Sequence, residues 1–290
     1  MLSEEQNRLI AEIEALQVQI ENRFMDQYPI IFKDLYKDVL AVIADVRFSG
    51  SADTRAKQLL ELVKLKNRIA EVVRTNTEYK AAVKEVQDGM IELRNLTDDY
   101  FRTVIDGHKP EKELYEAVLR ANLDSTKDLL IGQGVQDLFA QEIVSVIRNN
   151  LSDKTQKKSV EESLKVLIEG TKDQKALLEG RLRINAQDSV MMFNRQYINT
   201  VSADLNISYF IYSGTAIKTS RSFCASRAGK IYPKKEIEGW AKLTWNGKKP
   251  GTNENTIFDF LGGFQCRHQL WPASKAQYQM QQKALKAKSS

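Results

Sequence analysis

Cysteine, histidine and proline are scarce in this chain: two, two and five in 290 residues. Two cysteines allow at most one disulfide. With the histidines they fall short of the closely spaced ligand pairs that mark a structural zinc module. No apolar run approaches the roughly 20 residues a membrane span needs. The opening Met1-Leu2-Ser3-Glu4-Glu5 lacks the basic-then-apolar order of a secretory leader, so no membrane is expected. Acids are rare late in the chain. After Ile207 only Glu236, Glu238, Glu254 and Asp259 occur, too scattered to cluster two metal ions for nuclease chemistry.

What is present divides unevenly. From Ile207 to Ser290 there are 14 Lys+Arg against 4 Asp+Glu, a net +10, which leaves the first 206 residues at −5 out of the total +5. A basic C-terminal part suits an acidic partner, and nucleic acid is the obvious one. The lysines this turns towards DNA are Lys234, Lys235, Lys248, Lys249, Lys283, Lys286 and Lys288. Glycine follows the same division. Seven of the 14 glycines lie from Gly214 onward, and so do all three tryptophans and both cysteines.

The glycine-poor part reads as helices. Leu9, Ile13, Leu16 and Ile20 recur at helical spacing behind Ser3, a cap candidate. Further stripes run over 30–48, 52–78 and 80–105, with a break at Ser49-Gly50-Ser51. Gly107-His108-Lys109-Pro110 is a stop signal, and a histidine in such a turn is expected to be solvated. Short helices are expected over 111–122, from Ser125 or Thr126, over 135–150 and over 159–168 behind a Ser152-Asp153 cap. A long one follows over 174–201. None of these stripes carries a catalytic pattern; they are core surfaces.

At Ile207 the pattern changes. Ile207–Ser213 is rich in aromatic and β-branched residues and reads as a strand. Short helices are expected to Ser226 and over 233–241, a turn at Gly229, a final strand over 266–270 closed by Pro272, and a loose polar helix after it. The predicted fold class is mainly α: a helical arm (1–122), a helical domain (123–206), a small α+β domain (207–275) and a basic polar tail (276–290). Trp240, Trp245 and Trp271 are its core anchors. Gly262-Gly263 demands unusual backbone angles or close packing.

Cys224, Cys266, Arg267 and His268 concentrate the chemistry, and four readings stay open. The two cysteines and His268 are three zinc ligands where four are usual. A Cys224–Cys266 disulfide would close a loop of about 43 residues, worth about 4 kcal/mol in chain entropy. A Cys–His hydrolase would need an orienting Asn or Asp. Alternatively the cysteines are buried hydrophobes in a small knot that Arg221, Arg267 and His268 hold by hydrogen bonds. No metal and no other cofactor is expected.

The segment Thr219–Lys230, T-S-R-S-F-C-A-S-R-A-G-K, followed by Gly262–Pro272, G-G-F-Q-C-R-H-Q-L-W-P, resembles the C-terminal domain of the phage Mu-type head-morphogenesis (MuF-like) proteins, minor head (minor capsid) proteins of tailed bacteriophages. Arg221, Cys224, Gly229, Cys266, Arg267, His268 and Pro272 occupy the matching positions, and Arg183–Arg195 is similar to the helix leading into that domain. The likeness covers about 126–272. It departs at Gly262–Gln265, where many relatives show His-Pro-Asn before the cysteine.

The resemblance implies a structural virion protein, not an enzyme. Its place would be the portal vertex of the head, after assembly in the host cytoplasm. Portal protein would be its partner, with major capsid protein and packaged DNA as further neighbours, and its role head assembly, genome packaging or DNA ejection. The rivals are a MuF-linked effector enzyme, nuclease or Cys/His hydrolase, and a coiled-coil adaptor.

Overall fold

The computed structural model describes residues 2–44, 54–134, 139–151, 157–173, 176–215 and 217–289. Among them are twelve helices and one three-stranded antiparallel sheet, so the chain is mainly α with a small α+β part near its C-terminus. The expected break at 49–51, the helix start at 135, the Ser152-Asp153 cap and the helix start at 174 lie outside the described residues. None of the described helices is long and apolar enough to cross a membrane.

The helices are α1 (Glu4–Asp26), α2 (Tyr28–Ala44), α3 (Thr54–Thr75), α4 (Thr77–Val104), α5 (Glu113–Leu130), α6 (Gln141–Leu151), α7 (Lys157–Glu169) and α8 (Leu177–Asp204). After them come β1 (Tyr209–Ser213), α9 (Ser222–Ala225), β2 (Ile231–Pro233), α10 (Lys234–Trp240), α11 (Ile257–Phe260), β3 (Gln269–Ala273) and α12 (Lys275–Ser289). The chain forms two compact units. One comprises 1–18, 89–123 and 187–290; the other comprises 19–88 and 124–186. All of the segment expected as the small domain and tail belongs to the first, with 187–206 and two earlier pieces.

The second unit is held by aromatic stacking. Phe32 stacks on Tyr28 at 4.0 Å and on Phe139 at 5.4 Å, and Tyr79 meets Phe139 edge-on at 5.8 Å. Two buried phenols use main-chain acceptors: Tyr79 donates to the Leu130 carbonyl at 2.8 Å and Tyr28 to that of Ile168 at 2.6 Å. Burial raises the pKa of both well above the ordinary tyrosine range. Asn76 starts α4, its Oδ1 accepting from the Tyr79 amide at 2.8 Å. α5 runs unbroken through Asn122–Thr126, where a stop and a restart were expected. The Asn122 amide turns back to the Val118 carbonyl at 2.9 Å instead of capping a new helix.

In the first unit, β1 is central, in the order β2-β1-β3. β2 is only three residues long and gave no periodicity to read. β3 lies three residues later than expected, so Pro272 sits inside it, opposite Phe210, instead of ending it. Proline is tolerated there because β3 is an edge strand. The Pro272 carbonyl accepts from the buried Tyr100 hydroxyl at 2.7 Å, and Trp271, fully buried, packs on the Tyr100 ring at 4.7 Å.

The first and last helices begin alike. Ser3 and Gln6 exchange side-chain to main-chain hydrogen bonds at 3.1 and 3.0 Å, and Ser274 and Gln277 do the same at 3.2 and 2.7 Å. Each is a capping box, and the two meet where Gln277 Nε2 donates to Gln6 Oε1 at 3.1 Å. The tail was expected to form a loose polar helix; it is helical as α12, and its Gln281 covers the free edge of β2, bonding the Ile231 carbonyl and amide at 3.0 and 2.7 Å.

Candidate functional site

The core under the sheet joins Phe210, Tyr212, Phe223, Cys224, Ile237, Trp240, Ile257, Phe258, Leu261 and Cys266. Trp240 is buried edge-on against Phe223 and Tyr212. Trp245 is half-buried, stacked on Phe223 at 4.1 Å, with its indole N–H on the Gly262 carbonyl at 3.0 Å. The three tryptophans therefore anchor in different ways, Trp271 against Tyr100 and the other two around Phe223.

Within this core the separated motifs converge. Cys224 comes from α9, while Cys266 and His268 come from the loop entering β3. Their ligand atoms all lie within 4.8 Å of one another, and all three side chains are buried. The two sulfurs are 3.9 Å apart and unbonded, and Cys266 Sγ is 3.8 Å from His268 Nδ1. The Tyr212 hydroxyl donates to Cys224 Sγ at 3.3 Å. His268 Nε2 is buried with no hydrogen-bond partner.

The turn before Cys266 is built for close approach. A Cβ on Gly262 would lie 2.3 Å from Cys224 Sγ and 2.8 Å from Cys266 Sγ. Gly263 combines φ +94° with a would-be Cβ 1.8 Å from the Gly247 carbonyl oxygen. The two glycines thus meet both expected reasons for glycine, one of them both at once. Leu261 (φ 41°) and Gln265 (φ 54°) also take positive φ, a backbone cost the surrounding hydrogen bonds must hold in place. Gly229, φ +75°, turns the chain so that its amide reaches the Tyr212 carbonyl at 2.8 Å.

The residue that ties this loop down is Arg195 of α8, which sequence reasoning did not single out. Its buried guanidinium donates to the His268 carbonyl at 3.1 and 2.9 Å, to the Asp259 carbonyl at 3.2 Å, and to the Cys266 carbonyl. Beside it, Asn194 links the Thr97 hydroxyl at 2.8 Å to Gln269 at 2.6 Å. Of the expected braces, Arg221 bonds the Phe264 carbonyl at 2.7 Å, whereas Arg267 is exposed and bonds Gln187 at 3.1 Å. An arginine on a long helix looks like any other until partners 64 to 73 positions away are known.

Electrostatics follow the geometry. Hydrogen bonding from Cys224 holds Cys266 well below the usual thiol pKa against its burial, helped by Arg195 and His268, while Cys224 is pushed up by the same bond and by burial. Burial raises Asp259 to about 6.

The lysines assigned to DNA do not all face outward. Lys249 pairs with Asp188 at 3.2 Å with its side chain 15% exposed, and Lys248 donates to the Ala241 and Leu243 carbonyls at 2.6 and 2.9 Å. Lys235, Lys283 and Lys286 are exposed and Lys234 is partly so; the side chain of Lys288 lies outside the described set.

His108, expected in solvent, is buried against Phe101 and Tyr115. Its Nε2 is 3.1 Å from Asp98, which also meets the Tyr197 hydroxyl at 2.8 Å and Arg94 at 3.0 Å. A buried carboxylate requires such partners, and the histidine is one of them.

Comparison with protein-family models, curated proteins and solved structures finds no match to this chain.

Proposed function

We propose that the chain is a structural protein of a tailed-phage head, a minor head protein that docks on the portal, and not an enzyme. One observation carries the reading. The residues by which the C-terminal segment resembles the phage Mu-type family are distant in sequence, yet Cys224, Cys266 and His268 close into one buried cluster, with Arg221 bracing the loop between them. A likeness confined to chance short motifs would not require those motifs to fold onto each other. The buried thiols suit architecture better than catalysis, since a nucleophile must meet its substrate.

In this reading helical surface meets portal protein, and the exposed Lys235, Lys283 and Lys286 lie towards packaged DNA. Major capsid protein is the further neighbour. The test is quantitative mass spectrometry of purified particles of the encoding phage. A few copies per particle, scaling with portal protein, is the expected result. Absence from particles while the chain accumulates in infected cells would overturn the proposal.

A further inference from the structure

We infer that Cys224, Cys266 and His268 bind a thiophilic divalent metal ion, zinc being the natural occupant, as a structural cross-link between α9 and the loop entering β3. This reverses the sequence expectation of no metal and stands independently of the virion role.

The first support is spacing. Tetrahedral zinc holds sulfur at about 2.3 Å and imidazole nitrogen at about 2.0–2.1 Å, which sets two ligating sulfurs about 3.8 Å apart and sulfur and nitrogen about 3.5 Å apart. The observed separations are 3.9 Å between the sulfurs and 3.8 Å from Cys266 Sγ to His268 Nδ1, and the whole set spans no more than 4.8 Å, somewhat wider than a metal-bound set. A disulfide requires about 2.05 Å. The cysteines already stand at the distance of a shared metal, about twice that of a bond to each other.

The second support is the enclosure. Gly262 passes so close to both sulfurs that any side chain would strike them, and Gly214 lies so close to His268 that a Cβ would fall 2.7 Å from its Cδ2. Two glycines thus clear room around the ligand set. His268 is 6% exposed and faces Cys266 Sγ with Nδ1. Coordination at Nδ1 places the ring proton on Nε2. The Tyr212 hydroxyl, donating to Cys224 Sγ, is the outer hydrogen bond that thiolate ligands favour. Arg195, fixed on the Cys266 and His268 carbonyls, supplies positive charge beside a site that must hold thiolates.

Binding is balanced by proton release: each cysteine thiol gives its proton to solvent as its sulfur bonds the metal, and neutral His268 donates a lone pair. The cluster supplies three protein ligands, and among the described residues no fourth Cys, His, Asp or Glu joins them.

The test uses the full chain purified under reducing conditions, with zinc and then cobalt as probes. One zinc per chain is expected by elemental analysis. Cobalt should give thiolate-to-metal charge-transfer absorption and the intense visible bands of a tetrahedral site. Cys224→Ser and Cys266→Ser should lose stoichiometric binding, and Tyr212→Phe should weaken it about 10-fold. Should the serine variants fail to fold, His268→Cys provides the second reading: it should keep one metal per chain with stronger charge-transfer absorption. No metal in the wild type, no thiolate band with cobalt, or equal binding by Cys224→Ser/Cys266→Ser would each overturn the inference.

Discussion

Replacing Arg195 with methionine tests the physical core of the C-terminal knot. The guanidinium reaches three main-chain carbonyls, those of Asp259, Cys266 and His268. Methionine fills much of the same volume and satisfies none of them. A buried acceptor left without a donor costs about 1–3 kcal/mol. The Cys266 and His268 contacts are buried and the Asp259 contact is only partly so. The gain from no longer burying a charge offsets part of the loss. The net expectation is about 3–5 kcal/mol, against a typical total stability of 5–15 kcal/mol. All three tryptophans lie between Trp240 and Trp271, so their fluorescence during urea unfolding reports this region. Arg195→Lys should fall between, because one ammonium cannot span three carbonyls in a fixed fork. A methionine variant within about 0.5 kcal/mol of wild type would refute the claim that Arg195 holds the loop.

Other outcomes follow from the same geometry. Gly262→Ala should destabilise the fold by a few kcal/mol, because its Cβ would lie 2.3 Å from Cys224 Sγ; thermal melting checks this, and an unchanged Tm counts against the packing described. Asp259, raised to about 6 by burial, holds its proton in the folded state over a range where the unfolded chain has lost it. Stability from this group is therefore present below about pH 4 and lost as pH rises to about 6, by at most about 3 kcal/mol. Asp259→Asn should flatten that slope in denaturation curves taken across the window. A chelator should lower the fluorescence-detected midpoint of wild type but not that of Cys224→Ser/Cys266→Ser, since a ligand bound only by the folded state stabilises it by mass action.

Much of the helical framework was legible because apolar spacing alone determines which face is buried. Leu9, Ile13, Leu16 and Ile20 are all in the core, as their spacing required. β1 was legible from its aromatic and β-branched run. What failed depended on partners distant in sequence. β2 is defined by its pairing with β1 and by Gln281, not by its own three residues. Pro272 looks like a terminator until an edge position on the sheet removes the need for its N–H. His108 sits just past a Gly107 turn at φ +72°, the local sign of a solvated loop, but Asp98, Tyr115 and Phe101 enclose it. At the candidate site the residue types were legible. Their convergence was not, because the approach of Cys224 to Cys266 runs through Gly262 and is secured by Arg195 on another helix.

The central claim is tested most directly by an electron cryo-microscopy reconstruction of the encoding phage's particle, without imposed capsid symmetry. Density for this chain's helices is expected against the portal, with the C-terminal knot and its exposed lysines turned towards packaged DNA. A well-resolved portal vertex lacking any such chain would contradict it.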